Sequence, residues 1–410
     1  MTKLELMLKY VSEHNDFYKK RIKEYGIKDP LDITQWPVLT RKELQENRYN
    51  MFSDGYKSKY FYEQLYRKST SGSSGIPVNV YWDYNDIYAS NLALWRKRIH
   101  YYNIHPYDKC VIFNLHSFNS DPNIQEVSYV ISPKNILLIN ISLIHRDNKY
   151  KDLLGIIEEF KPDWLYIQPY VLDKLIKSYI RYGINPPNTI RYIESVGEIL
   201  TKELADRAVT FFGVPLANMY GSEEMNCIAY ECPFHNMHIM EDNILLECLH
   251  DGVITPFGEG ESIITSLTNS AMPLIRYNQG DIIVVEELNG KCSCGSYAPI
   301  ISMIKGRKLS SIIISDHFEI NSFLLLEVIA EINNQYNDMI LYYHYTYHKS
   351  KNELICTIEV NDNNWFLSVK ESIKKAFASK VGKINLSFEV QQGINYNKLE
   401  NKQKIVDIVD

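Results

Sequence analysis

The segment STSGSSGIPV, from Ser69 to Val78, groups hydroxyl side chains and glycines ahead of a proline and the alternating run VNVYW. Gly72 and Gly75 allow sharp turns and a close approach of the backbone to a ligand. Backbone N–H groups in such a loop can converge on an anion, and the hydroxyls add further donors. The segment departs from the P-loop pattern, because it has no Gly-Lys-Ser/Thr ending and no following helix. Taken alone, it suits either an ordinary surface turn or a phosphate-binding loop.

Composition places the chain among globular proteins with more than one domain. It has 410 residues, of which 45% are hydrophobic and 23% charged, a typical balance for a folded protein. The net charge of -6 gives no basic surface for nucleic acid or an anionic membrane, so we expect neither partner. Seven unevenly spaced cysteines and a charged N-terminal segment without the apolar core of a signal peptide predict a cytoplasmic location.

Hydrophobic periodicity divides the chain into regions of different architecture. Residues 4–18 show helical spacing and predict one helix, and Thr40 is the predicted N-cap of another. The runs CVIFNL, ILLINI and WLYIQP alternate with helical segments, which predicts a largely parallel sheet in an α/β domain. From about Asn243 the short runs ILLECLH, ESIITSLT, PLIRY and DIIVVEEL predict strands of a small antiparallel β subdomain. We therefore expect a large α/β domain over 1–307, with layered sheets and helices, and a small mobile α+β domain over 308–410.

Four further segments follow the opening segment along the chain, and their order matters to the interpretation. They are MYGSEE (Met219 to Glu224), IRYNQGD (Ile275 to Asp281), the Gly306-Arg307 pair and NKQKIV (Asn401 to Val406). Together with TSGSSGIP, they resemble the motifs of the adenylate-forming superfamily, which includes acyl-CoA ligases, luciferases and peptide-synthetase adenylation domains. The segments NDFYKKRIKEYGI…WPVLTRKEL, SVGEIL, AMPLIRY and Cys-x-Cys-Gly resemble the phenylacetate–CoA ligase and capsule-biosynthesis branch. The resemblance covers nearly the whole chain.

The resemblance implies an ATP-dependent carboxylic acid ligase. Such an enzyme activates a small or aryl acid as an acyl-adenylate, releases pyrophosphate, and passes the acyl group to a thiol such as coenzyme A. An alternative is the same adenylation followed by transfer to an amine or a carrier protein. A second alternative is a catalytically silent nucleotide-binding or scaffold protein. Four departures from the family pattern keep it open: Ile76 for a loop lysine, Glu223 for a threonine, Asn401 for a glycine, and KLSS at 308–311 for acidic residues.

The resemblance also implies the residues of an ATP site. Tyr220 would stack on adenine, Asp281 would accept hydrogen bonds from the ribose hydroxyls, and Arg307 would contact the ribose or phosphates. Glu224 would hold Mg²⁺ through a hard carboxylate oxygen, and Glu198 would lie near adenine. Without the resemblance, a core tyrosine and a domain-interface arginine are the alternative interpretations, and solvated surface acids are the preferred interpretation of Glu223 and Glu224. The remaining residues expected to bind the nucleotide are Thr70, Ser71, Gly72, Ser73, Ser74, Gly75, Gly221 and Ser222.

One lysine of the C-terminal domain is expected to neutralise charge in the adenylating transition state. Alignment of Asn401 with the family glycine makes Lys402 that residue, while Lys398 and Lys404 are neighbouring candidates. The alternative interpretation is a charged, frayed terminus, which describes at least two of these lysines.

The pocket for the acid is expected between the segment FNLHSFNS (113–120), the strand end IQPY and the segment SVGE. His116, Phe118 and Tyr170 are the candidate wall residues. An aromatic lining would suit a flat aryl acid, although such residues are as often part of an ordinary core.

Cysteines and histidines form a further candidate site. Cys232 and His238 lie in ECPFHNMHIME, and Cys292 and Cys294 lie in KCSCGS. Three thiolates and one imidazole would complete a tetrahedral structural zinc site without a catalytic water. His235 is the rival histidine. Buried thiols without a metal are the alternative, and some members of the resembled branch carry cysteines and a histidine at these places.

Overall fold

A computed structural model describes the chain over residues 1–69, 79–114, 129–133, 135–140, 144, 149–307, 312–315, 318–320, 325, 332, 340–360, 362–381, 384–390 and 406–409. Packing divides the chain into two compact units. One comprises Met1–Pro106 and Ala217–Ile304, and the other comprises Tyr107–Leu216 and Lys305–Asp410. The domain boundary expected after Arg307 stays a prediction. Within the ranges above, every helix is too short or too polar to span a bilayer.

Several helices begin at polar capping residues. Thr40 caps the third helix through a capping box with Glu43, as the sequence predicts. A 3₁₀ turn covers Ile33–Gln35 and another covers Lys349–Lys351. The helices are α1 (Lys3–His14), α2 (Asp16–Tyr25), α3 (Arg41–Glu46), α4 (Tyr56–Phe61), α5 (Tyr84–Tyr102), α6 (Tyr150–Phe160), α7 (Pro169–Tyr182), α8 (Lys202–Phe212) and α9 (Asn363–Val381).

The N-terminal segment forms two helices where the hydrophobic spacing predicts one. Asn15 ends α1 in an extended conformation and is fully buried. Its side-chain oxygen accepts a hydrogen bond from the Tyr18 N–H at 3.3 Å, which caps α2. Its side-chain nitrogen donates to the Met51 carbonyl at 2.8 Å. The break therefore combines a local cap with a contact to a distant residue, and hydrophobic spacing reveals neither of them.

The strands form several sheets, which are described below for each unit. They are β1 (Tyr66–Ser69), β2 (Asn79–Trp82), β3 (Cys110–Asn114), β4 (Tyr129–Ser132), β5 (Ile136–Asn140), β6 (Trp164–Ile167), β7 (Tyr192–Val196), β8 (Leu216–Ser222), β9 (Asn226–Glu231), β10 (Met237–Ile239), β11 (Ile244–His250), β12 (Val253–Thr255), β13 (Gly258–Ser266), β14 (Tyr277–Glu286), β15 (Ile300–Arg307), β16 (Ile312–Ser315), β17 (Phe318–Ile320), β18 (Ile340–His348), β19 (Glu353–Val360), β20 (Asn385–Val390) and β21 (Val406–Val409).

The first unit contains α1–α5, the β1–β2 hairpin and the strands β8–β15. The sheet order is β12-β11-β13-β14-β15-β10-β9-β8, and the pairs β11–β12, β11–β13, β13–β14, β10–β15, β9–β10 and β8–β9 are antiparallel. One hydrophobic core joins this sheet to the N-terminal helices and the hairpin. In the hairpin, Ser69 pairs with Asn79, and these two residues flank the segment 70–78.

The segment PLIRY is not a strand, contrary to the pattern, and β14 begins only at Tyr277. Arg276 has a left-handed φ of 50°, which interrupts an extended chain. Its guanidinium forms two hydrogen bonds with the Glu247 carboxylate, at 2.9 and 2.6 Å. It also donates to the carbonyls of Thr34 and Trp36. These buried contacts hold the turn in a conformation that local sequence preference disfavours.

The second unit contains a parallel sheet flanked by α6, α7 and α8. Its strand order is β7-β6-β3-β5-β4, with β7, β6, β3 and β5 parallel and β4 antiparallel at the end of the series. The alternation of strands and helices agrees with the predicted α/β class. The C-terminal part has the mixed sheet β20-β19-β18-β21, the pair β16–β17, the helix α9 and its own hydrophobic core.

We predict that Glu247→Leu lowers the free energy of unfolding by about 3–5 kcal/mol, because it leaves the buried Arg276 guanidinium without its counter-charge. Urea titration followed by circular dichroism measures the change. The matched control, Glu286→Gln, alters an exposed carboxylate on β14 and should stay within about 0.5 kcal/mol of wild type. Equal stability of both variants would contradict the importance of this pair.

Candidate functional site

Tyr220, Gln279 and Asp281 form a closed hydrogen-bonded triangle in the first unit. The Tyr220 hydroxyl donates to Asp281 Oδ2 at 2.7 Å. The Gln279 amide nitrogen donates to the Tyr220 oxygen at 2.6 Å and to Asp281 Oδ2 at 3.0 Å. Burial raises the pKa of Tyr220 well above its usual value, and the nearby Asp281 charge raises it further. The phenol therefore remains a protonated donor to Asp281.

A bulge in β14 presents two members of this triangle. The pairing of β13 with β14 passes from Glu261–Ile282 to Ile263–Asn278. Ser262 therefore faces three residues, 279–281, instead of one. Gly280 in the middle has a positive φ of 86°, which a glycine adopts without strain. Bulges of this kind redirect side chains and occur often beside functional sites.

A second irregularity lies in the other motif segment, at Gly221. The register of β8 with β9 shifts between Tyr220 and Gly221. A Cβ atom on Gly221 would lie 2.3 Å from the Asn226 carbonyl oxygen, so only glycine fits here. Ser222 closes the following turn, because its hydroxyl accepts a hydrogen bond from the Met225 N–H at 3.2 Å. The segment MYGSEE is thus a tight connection from β8 to β9.

The two glutamates of this segment have different surroundings. Glu224 is only 2% exposed. Its Oε1 accepts a hydrogen bond from the Tyr277 hydroxyl at 3.2 Å and lies 3.7 Å from the Arg41 guanidinium. The Glu223 side chain is 43% exposed and lies 3.4 Å from Lys68 Nζ. The Mg²⁺ role of Glu224 stays a prediction, and Arg41 and Tyr277 already occupy one oxygen of that carboxylate.

In the second unit, Tyr170 and Glu198 lie together at the start of α7. The Tyr170 N–H donates to Glu198 Oε2 at 3.1 Å, so Glu198 caps the α7 N-terminus. Gln168, just before α7, donates through its side chain to the Phe113 carbonyl at the end of β3. Gly197 follows β7 with a positive φ of 82°. These residues follow the carboxyl ends of parallel strands, where open α/β sheets bind ligands.

Cys232, His238, Cys292 and Cys294 lie together in the first unit. All four ligand atoms are within 4.8 Å of one another. The Sγ atoms of Cys232 and Cys292 are 4.0 Å apart, and Cys294 Sγ is 3.2 Å from His238 Nε2. Ligands of a tetrahedral zinc ion, at ~2.0–2.3 Å from the metal, lie roughly 3.5 Å from one another. The four donors therefore fit a closed structural zinc site.

Neighbouring groups orient these four ligands. The Nδ1 of His238 lies 2.9 Å from the Ala298 carbonyl, which favours a proton on Nδ1 and directs Nε2 at the thiols. Tyr101 on α5 donates its hydroxyl to Cys294 Sγ at 3.4 Å. The rival His235 is excluded from the cluster, because its side chain is 79% exposed and faces Glu231.

The thiols of this cluster have unequal pKa values. Burial raises the pKa of Cys232 to about 12. Burial also acts to raise the pKa of Cys292, but hydrogen bonds from Cys294, His238 and Asn236 lower it to about 6. Of these two thiols, Cys292 therefore supplies a thiolate ligand more readily.

Several predicted site residues lie in parts of the chain that the structure does not describe. Outside the described residues lie Thr70, Ser71, Gly72, Ser73, Ser74, Gly75, His116, Phe118 and Lys402. The backbone of Arg307 ends β15, but its side chain is not described. Conversely, the sequence interpretation did not select Gln279, Arg41 or Tyr101. Only Gln279 offered a signal, because it lies inside the IRYNQGD segment two residues before Asp281.

Known proteins similar to the chain are ligases. No family model matches it. The chain is 28% identical over 167 residues to a phenylacetate–coenzyme A ligase of Thermus thermophilus, covering 39% of this chain and 37% of that protein. It is 25% identical over 299 residues to the ligase of that name from Pseudomonas putida, covering 69% of this chain and 65% of that protein. In both cases, the match spans less than two thirds of the relative's own length.

A solved structure of a 2-hydroxyisobutyryl-CoA ligase, in a postadenylation state with 2-HIB-AMP, superposes with a TM-score of 0.77. The superposition covers 99% of this chain and 88% of that one, at 16% sequence identity, and so concerns the fold. It confirms the predicted fold class, a large α/β domain followed by a small α+β domain. The predicted resemblance is confirmed as well: the chain has the fold of the adenylate-forming ligases, and its sequence is similar to their phenylacetate–coenzyme A ligase-like branch.

Proposed function

We propose that the chain is an ATP-dependent ligase that activates a small or aryl carboxylic acid as an acyl-adenylate and then transfers the acyl group to coenzyme A. The single observation that carries the proposal is the contact between two motif segments. Tyr220 of MYGSEE and Asp281 of IRYNQGD are 61 residues apart in sequence, yet they are hydrogen-bonded at 2.7 Å. The similarity to curated phenylacetate–coenzyme A ligases supports the same reaction.

Adenylation requires the acid carboxylate to attack the α-phosphorus of ATP, with pyrophosphate as the leaving group. The protein contributes mainly by positioning the reactants and stabilising charge. Asp281 would accept hydrogen bonds from ribose hydroxyls, and Tyr220 would present its ring to adenine. The loop 70–75 would cradle the outer phosphates with backbone amides and hydroxyls. Lys402 would stabilise the charge that develops around the α-phosphate.

The acceptor is proposed from the relatives, whose names specify coenzyme A as the thiol. Transfer to an amine or a carrier protein is the competing outcome, and adding coenzyme A and then candidate amines to the adenylation reaction separates the two. The proposed acid pocket includes Tyr170, beside Glu198 and α7. The proposed mobile domain begins after Arg307. A cytoplasmic location is proposed from the odd number and uneven spacing of the seven cysteines.

Two metal ions belong to this proposal. Glu224 would hold Mg²⁺, which neutralises charge on the ATP phosphates when bound. Cys232, His238, Cys292 and Cys294 would hold a structural zinc ion. That ion would tie the β9–β10 connection to the loop that precedes β15, with no part in the reaction.

Pyrophosphate exchange tests the activity directly. Wild-type protein with a panel of aryl and aliphatic acids should incorporate labelled pyrophosphate into ATP only when the matching acid is present. Lys402→Ala should slow this exchange by ~10²-fold or more, because one charge partner of the transition state is lost. Lys398→Ala and Lys404→Ala are the matched controls and should retain the rate. If none of the acids supports exchange, the nucleotide-binding scaffold is favoured. An exchange rate that Lys402→Ala leaves unchanged would reject the role of that lysine.

Metal analysis tests the zinc site. Purified wild type and His235→Ala should each contain about one zinc per chain, whereas His238→Ala and Cys292→Ser should lose it because a tetrahedral site needs all four ligands. Inductively coupled plasma mass spectrometry measures the content. Equal zinc content in His235→Ala and His238→Ala would disprove the assignment.

Magnesium titration separates the two glutamates. Glu224→Gln should raise the Mg²⁺ concentration for half-maximal exchange by roughly tenfold or more, as expected when a metal contact is removed. Glu223→Gln should leave it near the wild-type value. The reverse pattern would assign the metal to Glu223. Thermal melts of both variants check that they remain folded, in particular Glu224→Gln, which loses the ion pair with Arg41.

A further inference from the structure

Gln279 is 5% exposed and occupies the bulge of β14 that also carries Asp281. Its side-chain nitrogen contacts Tyr220 at 2.6 Å and Asp281 at 3.0 Å, so one amide group connects both residues of the proposed adenosine site. A buried amide with two such partners does more than occupy volume in the core. It fixes the relative position of a phenol and a carboxylate.

The direction of the amide follows from its partners. Asp281 Oδ2 accepts the hydrogen bond of the Tyr220 hydroxyl, so the Gln279 nitrogen, which is the donor of the amide, must face it. A flipped amide would place Oε1 against the carboxylate and create repulsion. In the observed orientation, Gln279 Oε1 is buried and has no hydrogen-bond partner among the described residues. An orphaned buried acceptor is unfavourable, and the two contacts of the nitrogen offset its cost.

We propose that Gln279 is a positioning residue, which holds Asp281 and Tyr220 in the geometry that recognises the ribose hydroxyls of the nucleotide. It acts through Asp281 and does not itself contact the reacting atoms. This inference rests on the proposed function, because it assigns Gln279 to the same nucleotide site. The inference adds Gln279 to the residues on which the preference for a nucleotide with ribose hydroxyls depends.

The test compares two ligands that differ only in the ribose hydroxyls. Calorimetry measures the affinity of AMP and of 2′,3′-dideoxy-AMP for wild type, Gln279→Met and Asp281→Asn. Wild type should prefer AMP by about tenfold or more, the scale of hydrogen bonds to a charged group. Asp281→Asn and Gln279→Met should each reduce the preference to about threefold or less.

The control Glu286→Gln alters an exposed carboxylate at the far end of β14. It should keep the wild-type preference. Gln279→Met with an unchanged preference would overturn the inference and leave the proposed function intact. A wild type that binds AMP without preferring the hydroxyls would overturn it as well. A wild type that binds no adenine nucleotide would instead refute the proposed function.

A second variant covers the case in which Gln279→Met fails to fold. Gln279→Glu keeps the shape but adds a carboxyl group beside Asp281, and like charges at this distance raise one pKa of the pair. Its preference for AMP should fall relative to wild type as the pH rises from about 5 to 8, because the added group loses the proton it would donate. The titratable groups that Gln279 contacts are Asp281 on its own strand and Tyr220 on β8. Parallel pH profiles for variant and wild type would contradict the positioning role.

Discussion

The buried ion pair between Arg276 and Glu247 is the contact on which the first unit depends. Two hydrogen bonds join the guanidinium to the carboxylate, and two further ones join it to the carbonyls of Thr34 and Trp36. The backbone at Arg276, just before β14, also pairs with Leu39, whose N–H donates to the Arg276 carbonyl. One side chain thus connects the N-terminal segment, β11 and the start of β14. Because the pair is buried, losing either partner leaves a charge without compensation.

This turn determines where the next residues of β14 lie. Tyr277 follows directly and donates to Glu224 in the β8–β9 connection. Gln279 and Asp281 follow in the bulge and contact Tyr220. The segments IRYNQGD and MYGSEE are therefore held together at several points and behave as one structural unit. Both contain an irregular pairing, and both use a glycine where a side chain would clash or strain the backbone. Such rigid irregular backbone is a suitable support for a binding site.

The sequence predicts the parts of this structure that depend on local pattern. Strand and helix alternation, the Thr40 cap and the four zinc-ligand candidates follow from periodicity, residue type and spacing. The parts that it misses depend on distant partners. Asn15 divides the first helix through contact with Met51, and Arg276 adopts a left-handed conformation because Glu247 and two carbonyls hold it. The role of Gln279 likewise depends on Tyr220, 59 residues away along the chain. Hydrophobic spacing contains no information about these pairs.

The central claim is that the acid is activated through an acyl-adenylate, and the fate of the carboxylate oxygen tests it most directly. An acid labelled with ¹⁸O in its carboxylate is incubated with the protein, ATP and coenzyme A, and the AMP formed is analysed by mass spectrometry. If a carboxylate oxygen attacks the α-phosphorus, that oxygen leaves with AMP when the thiol displaces it, so AMP carries one labelled atom. Unlabelled AMP, or ADP formed together with labelled inorganic phosphate, would contradict the account.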